Sequence, residues 1–494
     1  MATTEAGSRP RRKTIRSRQA FGRLLADALV DFHSCWESTR PDPEPTKIAI
    51  LKFQPRLLKA LQRLELEYLA LAERKRDLIA RKKELSLGWF RSRMRLLAKR
   101  QEALRDAQII GRTMGDSFAW LFYRDELRLL DEHAAQPLVV PIPTGVGGDG
   151  ELAFVSSLPG FAGLFVLHHG ITTILRLGDV SLVDVSRSRV VAIGELKTHR
   201  PNDAELSIQV SLISREGEAI DQSRLPSYEH SRQTASLQLS HAMASRLQRQ
   251  LKRTATAIRP RQEPPEARVV AVPGNDYAQE LAAAVRKARR GRWISHRAGP
   301  GLLFLAYRCL SRSLGGRLRE MNTTAALRLS AGENPSTAVI PLILRQSAHN
   351  AIITGSVLFG VNGLPHPIRQ AMPLVWLGID RDLVFRMLTL DTQVIYIYNP
   401  AHLYAAFEGK GWRVDKDGAP PDVVLRRQNG ERVQSLHGMD WFIRDVTHGL
   451  RTEEQITTAM ELGLPELSTS EARRHLRVQL DIHHVMPPFD MKDD

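Results

Sequence analysis

Between Gly163 and Ser214 the apolar residues alternate or run in short β-branched groups, while the segments on either side repeat at helical spacing. Leu164 to His168, Thr172 to Leu177, Val180 to Val185, Val190 to Lys197 and Leu206 to Ile213 all read as strands. A helix over Asp106–His133 precedes them, with Ile110, Met114, Phe118, Leu121 and Phe122 on one side, and a helix over about Ser231–Thr256 follows. A short strand (Arg268–Val272), a helix (Tyr277–Arg289) and another strand (Leu302–Tyr307) complete the order. A strand meander held between helical layers predicts an α/β sandwich over residues 105–310.

The 494 residues are enough for two or three cores, and the pattern divides them accordingly. Residues 1–15 are basic and polar, as expected of a disordered tail. Residues 16–104 are helical. Leu57, Leu61, Leu64, Tyr68, Leu71, Lys75, Leu78, Lys82 and Leu85 repeat at alternating steps of four and three, which fits a helical hairpin and a dimeric coiled coil equally. Residues 311–494 again mix strand and helix patterns and read as a C-terminal α/β domain. The glycine-rich run Gly145–Gly150 lacks the Lys-Ser/Thr ending of a phosphate-binding loop, and no such motif occurs elsewhere in the chain. It is expected to be a mobile connector, and any nucleotide-driven step would need a partner.

Seventy Lys and Arg stand against fifty-four Asp and Glu, a formal charge of +16. Such an excess favours a polyanionic partner, nucleic acid first and an anionic membrane surface second; the nucleic acid expected is DNA, with RNA as the alternative. Half of that charge lies in Glu73–Arg105, where twelve Lys and Arg face four acids. Arg81, Lys82 and Lys83 in this window, with Arg246 and Arg249 on the helix after the strands, are the expected nucleic-acid contacts; a solvated helix face is the plainer alternative. Two distant cysteines, Cys35 and Cys309, exclude a disulfide framework or a four-cysteine zinc site. No apolar run approaches the length of a membrane span, and no signal peptide opens the chain, so a cytoplasmic protein without a membrane is expected.

The chemistry concentrates in Gly178-Asp-Val-Ser-Leu-Val-Asp184, a polar turn, and Val190-Val-Ala-Ile-Gly-Glu-Leu-Lys197. A hairpin with Arg187 at its tip sets Val185 against Arg189 and Asp179 against Glu195, on one side of the sheet. Lys197 shares that side, because side chains alternate along a strand. Two facing carboxylates raise each other's pKa, and a hard divalent cation resolves the conflict. Asp184 lies at an odd offset from Asp179 and faces away, becoming the replacement ligand only if the register slips. Asp116 and Glu126 on the preceding helix are further acids for the site, although helix-surface roles are the simpler reading for both. Gln209 on the next strand is the last candidate.

This pattern resembles the PD-(D/E)XK nuclease superfamily, with an acid opening one strand and acid-x-Lys on the next. Asp179, Glu195 and Lys197 match in turn, and the resemblance covers roughly residues 105–310. Gly178 stands where the family often has proline. The resemblance implies a restriction-endonuclease-like mixed sheet flanked by helices, metal ligation by Asp179 and Glu195, and Mg²⁺ (or Mn²⁺) as cofactor. It also implies an endonuclease cutting DNA phosphodiester bonds, by analogy in bacterial restriction or anti-phage defence, restrained by oligomerisation or a protein partner. The alternatives are an inactive nucleic-acid-binding scaffold subunit and an assembly protein with no nucleic-acid role.

Overall fold

Seam leucines Leu57, Leu61, Leu64, Leu71 and Leu78 are all buried, and their cover comes from within the chain. Helices α1 (Arg18–Glu37), α2 (Lys47–Ala80) and α3 (Leu87–Tyr123) pack on one another, with α3 folding back along α2 after the 3₁₀ turn Lys82–Glu84. The computed structural model describes residues 18–37, 47–123, 126–134, 136, 141–157, 160–161, 164–184, 189–202, 205–214, 249, 252, 254–256, 268–271, 277–320, 353–357, 379–415, 423–427, 432–435, 439–463 and 476–479. The tail 1–15, and most of the expected helix Ser231–Thr256 with Arg246 in it, lie outside these residues.

Helix α3 has 37 residues, so a division at 104/105 falls inside a continuous helix. No glycine or proline stands between Gly88 and Gly111 to break it, and Leu97, Leu104, Ala107, Ile110 and Met114 form one buried stripe. The expected helix Asp106–His133 is therefore the end of α3 followed by a separate α4 (Leu127–Ala134). Near its end α3 touches the sheet's connections at backbone distance. A Cβ added at Gly115 would lie 2.0 Å from the Ile171 carbonyl oxygen.

Strands β1 (Gly160–Phe161), β2 (Leu164–His168), β3 (Val180–Asp184), β4 (Arg189–Asn202) and β5 (Glu205–Ser214) form one sheet in sequence order. Every pairing in it is antiparallel, which corrects the expected mixed sheet among the described residues. The links between successive strands are too short for a parallel crossover. Thr172–Leu177, expected as a strand, is a turn. Side chains take its amides instead of a neighbouring strand, beginning with Asp116 on α3, which accepts from Thr173 N and Thr173 Oγ1, both at 2.6 Å, and from Ile174 N at 3.2 Å.

The sheet buries both faces. Leu167, Val183, Ile193 and Ile213 join the core shared with α2 and α3. Val166, Val180, Leu182, Ala192, Leu196 and Leu212 pack with Phe154 and Val155 of α5 (Gly145–Ser157). This helix begins in the glycine run expected to be a mobile connector. The glycines instead allow close packing, because a Cβ at Gly150 would sit 2.0 Å from Thr198 Oγ1 of β4.

The remaining sheets are smaller. β7 (Trp293–Arg297), β8 (Leu302–Arg308), β10 (Thr392–Tyr398) and β9 (Ile353–Ser356) lie side by side in that order. β8 and β10 pair from Leu302↔Tyr398 to Arg308↔Thr392, so a boundary at 310 would split this sheet. β6 (Arg268–Ala271), expected as a short strand, pairs in parallel with strand Leu476–Gln479. The N-terminal helices also dock on the C-terminal part: Trp36 Nε1 donates to the Arg381 carbonyl at 3.1 Å, and the Arg381 guanidinium lies 4.9 Å over the Trp36 ring. The protein is mixed α/β, with one buried cluster running from α1 through the first sheet to the second. Among the described residues no helix is long and apolar enough to cross a membrane.

The approach of α3 to the sheet depends on glycine. Gly115→Ala should cost about 1–3 kcal/mol, because backbone must move to admit the methyl group. Equilibrium denaturation checks this, and an unchanged midpoint would contradict the packing.

Candidate functional site

Asp179 stands one residue before β3, and three hydrogen bonds fix it. Its amide donates to the Gly194 carbonyl at 2.7 Å, its carbonyl accepts from His169 N at 2.8 Å, and its Oδ2 accepts from Leu196 N at 2.7 Å. The ladder of β3 with β4 stops at Val180↔Gly194, and the Asp179 side chain supplies the next acceptor. Gly178 makes this turn. It has φ +67°, where an L side chain is strained, and a Cβ there would lie 2.7 Å from the Gly194 carbonyl oxygen. Proline, with φ held near −65°, cannot occupy that position.

The register agrees with the expected pairing near the site and departs from it near the tip. Val180↔Gly194, Ser181↔Ile193 and Leu182↔Ala192 keep the alignment that sets Asp179 against Glu195. A bulge after Leu182 then shifts the partners by one, to Val183↔Val190 and Asp184↔Arg189. Asp184 is thus at the far end of β3 from Asp179.

Asp179, Glu195 and Lys197 come together. Glu195 is 4% exposed, its carboxyl shares a hydrogen bond with that of Asp179, and Lys197 Nζ lies 3.4 Å from Glu195 Oε2. Burial, followed by the Asp179 charge, pushes the Glu195 carboxyl up to about 7 against the pull of Lys197. Burial and then the charge of Glu151 also raise the Asp179 carboxyl, opposed by the Leu196 amide, Lys197 and His168. Burial and mutual repulsion thus both favour a proton held on the pair.

Glu151 and His168 belong to this charge cluster and were not among the expected residues. Glu151, buried on α5, has its Oε2 2.9 Å from His168 Nε2 at the end of β2. His168 Nδ1 is buried and has no partner among the described residues. The signal for Glu151 was its place directly after the glycine run, which is hidden once that run is read as a connector.

The other expected acids are occupied elsewhere. Asp116 is spent on the Thr173–Ile174 turn, and burial raises its carboxyl to about 6. Glu126 precedes α4, where its carbonyl accepts from Leu130 N, and its charge acts on Tyr123. Gln209 pairs with Lys197 in the β4–β5 ladder. Arg81, Lys82 and Lys83 are exposed at the hairpin tip, Arg81 in an ion pair with Glu84 at 2.8 Å. Close by on α3, Arg91, Arg95 and Lys99 line an open hollow of about 500 Å³ beside exposed Leu96. Arg249 is exposed. Arg246 lies outside the described residues.

A buried chain of neutral groups holds the turn that carries Asp179. His133 Nδ1 accepts from Arg176 N (2.9 Å) and Leu177 N (3.0 Å), so its proton is on Nε2, which donates to Tyr123 Oη at 3.1 Å. At the other end His169 Nδ1 faces the Gly178 carbonyl at 3.1 Å and must donate, leaving Nε2 to accept. The directions between follow: Tyr123 Oη donates to Ser181 Oγ (2.5 Å), and Ser181 Oγ donates to His169 Nε2 (2.6 Å). Burial keeps both imidazoles neutral, with His169 lowered to about 3.

Among the described residues no three His, Cys, Asp and Glu side chains converge as a ready cage for an ion. The carboxyl pair offers a narrower fit. Its shared proton is what a divalent cation would replace, and an all-oxygen pair suits a hard ion that keeps waters and phosphate oxygens as its other ligands. No family model, no curated protein and no solved structure matches this chain.

The raised Glu195 carboxyl has a stability consequence with a definite sign. Between its ordinary 4.5 and about 7, the folded protein keeps a proton that the unfolded chain releases, so metal-free stability falls as pH rises through that window. Glu195→Gln should remove this loss. The variant is expected to match the parent at acid pH and exceed it by ~1–3 kcal/mol above neutrality. Denaturation curves across pH test it, and parallel profiles would contradict the assignment.

Proposed function

We propose that this chain is a metal-dependent nuclease of the PD-(D/E)XK type that hydrolyses phosphodiester bonds in DNA, with a restriction-endonuclease-like arrangement around α5 and β2–β4. The observation that carries the reading is the buried carboxyl pair Asp179–Glu195 with Lys197 Nζ 3.4 Å from Glu195 Oε2. A purely structural role explains this group poorly. Two buried acids beside each other cost stability unless a proton or a cation compensates them.

Asp179 and Glu195 would hold the ion, and Mg²⁺ or Mn²⁺ when bound supplies Lewis-acid stabilisation of the phosphate and a more acidic water. The chain's own residues do the rest. Leu196 N holds Asp179 Oδ2 in place, leaving the other carboxylate oxygen for ligation. Glu195 must release its proton first, so activity should rise with pH through about 7. Lys197, a quarter exposed, is placed to orient the attacking water or to stabilise charge developing on the phosphate. The basic tip of the α2–α3 hairpin offers Arg91, Arg95 and Lys99 for backbone phosphates, in keeping with the net charge of +16. Restraint by oligomerisation or a partner protein, and a place in anti-phage defence, remain part of the proposal by analogy.

Incubation of the purified chain with duplex and single-stranded DNA and RNA, with and without Mg²⁺ or Mn²⁺, tests the reading. Metal-dependent cleavage is expected, with Glu195→Gln and Lys197→Met each slower by about 100-fold or more. Cleavage that persists in both variants would remove the proposal. Salt-sensitive binding with no cutting under any metal would favour a nucleic-acid-binding scaffold instead.

A further inference from the structure

Away from the hairpin site, the densest charge surrounds Asp391, which is 4% exposed. Four guanidinium groups converge on its carboxylate. Arg308 Nε lies 2.9 Å and Arg386 Nε 3.4 Å from Oδ2, with Arg317 Nη2 3.4 Å and Arg290 Nη2 3.7 Å from Oδ1. They arrive from separate places: the turn before β7, the end of β8, the segment after it, and helix Arg381–Leu388. Glu320 is the second acid of the group, accepting from Tyr307 Oη, Leu310 N and Ser311 N. Four cations against two acids leave an excess of two positive charges.

A structural hub does not need that excess. One carboxylate is satisfied by one or two guanidiniums, and each further one adds repulsion where water screens poorly. The cost is visible in Arg317 and Arg386, both held below the ordinary arginine range by burial and by neighbouring guanidiniums. The turn delivering Asp391 is also strained, since the buried Leu390 has φ +58°. Three of the arginines are tied to the fold through other nitrogens: Arg290 to the Cys309 and Leu310 carbonyls, Arg317 to Thr389, and Arg386 to Val285 and Thr392. Arg308 differs. Among the described residues its guanidinium donates a hydrogen bond only through Nε, to Asp391, and about a third of its side chain is exposed, as is that of Arg290. Its terminal nitrogens are left for a ligand from solution.

We infer that the arginines around Asp391 form a binding site for a phosphate dianion, with Asp391 as the internal counter-charge that orders them and Arg308 and Arg290 as the groups that reach the ligand. The excess of two charges matches the ligand's charge, and the planar fork of arginine matches its oxygens. Exposed Arg289 and Arg292 flank Arg290 along the chain and would draw the anion in. The same chemistry can arrive as free phosphate or as the terminal phosphate of a nucleic-acid strand. This site shares no residue with the carboxyl pair, and its assignment does not depend on the nuclease reading.

Calorimetric titration of the full chain with inorganic phosphate, against chloride at equal ionic strength, is the test. Saturable binding is expected, weakened at least about tenfold by Arg308→Gln and by Arg290→Gln, with the phosphate-free unfolding midpoint of Arg308→Gln unchanged. If Arg308→Gln lowers that midpoint, Arg308→Lys keeps the charge but not the fork; it should restore the midpoint and still weaken phosphate binding. A second arm compares an oligonucleotide bearing a 5′-phosphate with the same strand lacking it. A preference that Arg308→Gln abolishes assigns the site to strand ends, whereas equal binding of both strands assigns it to free phosphate. Absence of phosphate binding at ~10 mM, or binding unaltered in both glutamine variants, overturns the inference.

Discussion

The hydrogen bond from Leu196 N to Asp179 Oδ2, at 2.7 Å, is the contact on which the candidate site rests. The β3–β4 ladder ends one residue earlier, and a backbone amide left unpaired inside the sheet would be costly. The Asp179 carboxylate fills that vacancy and is thereby drawn across the strand to Glu195. Gly178 allows it through its positive φ, and the chain from His133 to His169 holds the turn from behind. Backbone satisfaction and the meeting of two acids are therefore one event.

Charge then governs what this geometry can do. The acids are buried, and Lys197 supplies one cation for the pair, so burial favours a proton on it that a divalent ion would displace. Glu151 brings a third carboxylate near Asp179, with His168 set against it at 2.9 Å. Close approach of the helices makes the burial possible. Gly115 and Gly150 bring α3 and α5 onto the sheet's connections and onto β4 without intervening side chains.

Much of this was legible in the sequence, for identifiable reasons. Alternation located β2 to β5, and a hairpin count from Arg187 aligned Asp179 with Glu195, because the extra residue at the bulge restores that register at the site. The bulge at Leu182/Val183 has no such signal and displaced the tip pairing. Thr172–Leu177 carries strand-like residues, yet Asp116 from α3 and His133 from α4 capture four of its amides, a tertiary effect invisible to local propensity. Gly145–Gly150 misled in the same way. Glycines that normally weaken a helix are tolerated here because they gain contact with Thr198 and Pro143, and Glu151 was overlooked with them. An unbroken apolar stripe in α3 crosses position 104, and a long-range ladder joins β8 to β10 across position 310; neither is visible to local composition.

Titration of the metal-free chain with Mg²⁺ in buffers of differing ionisation enthalpy, at several pH values, tests whether the ion replaces a proton on the Asp179–Glu195 pair. If Asp179 and Glu195 share a proton that the ion replaces, binding should release about one proton well below neutrality and progressively less above it, and Asp179→Asn should abolish both binding and release. Binding without proton release at any pH, or release that survives Asp179→Asn, would contradict the account.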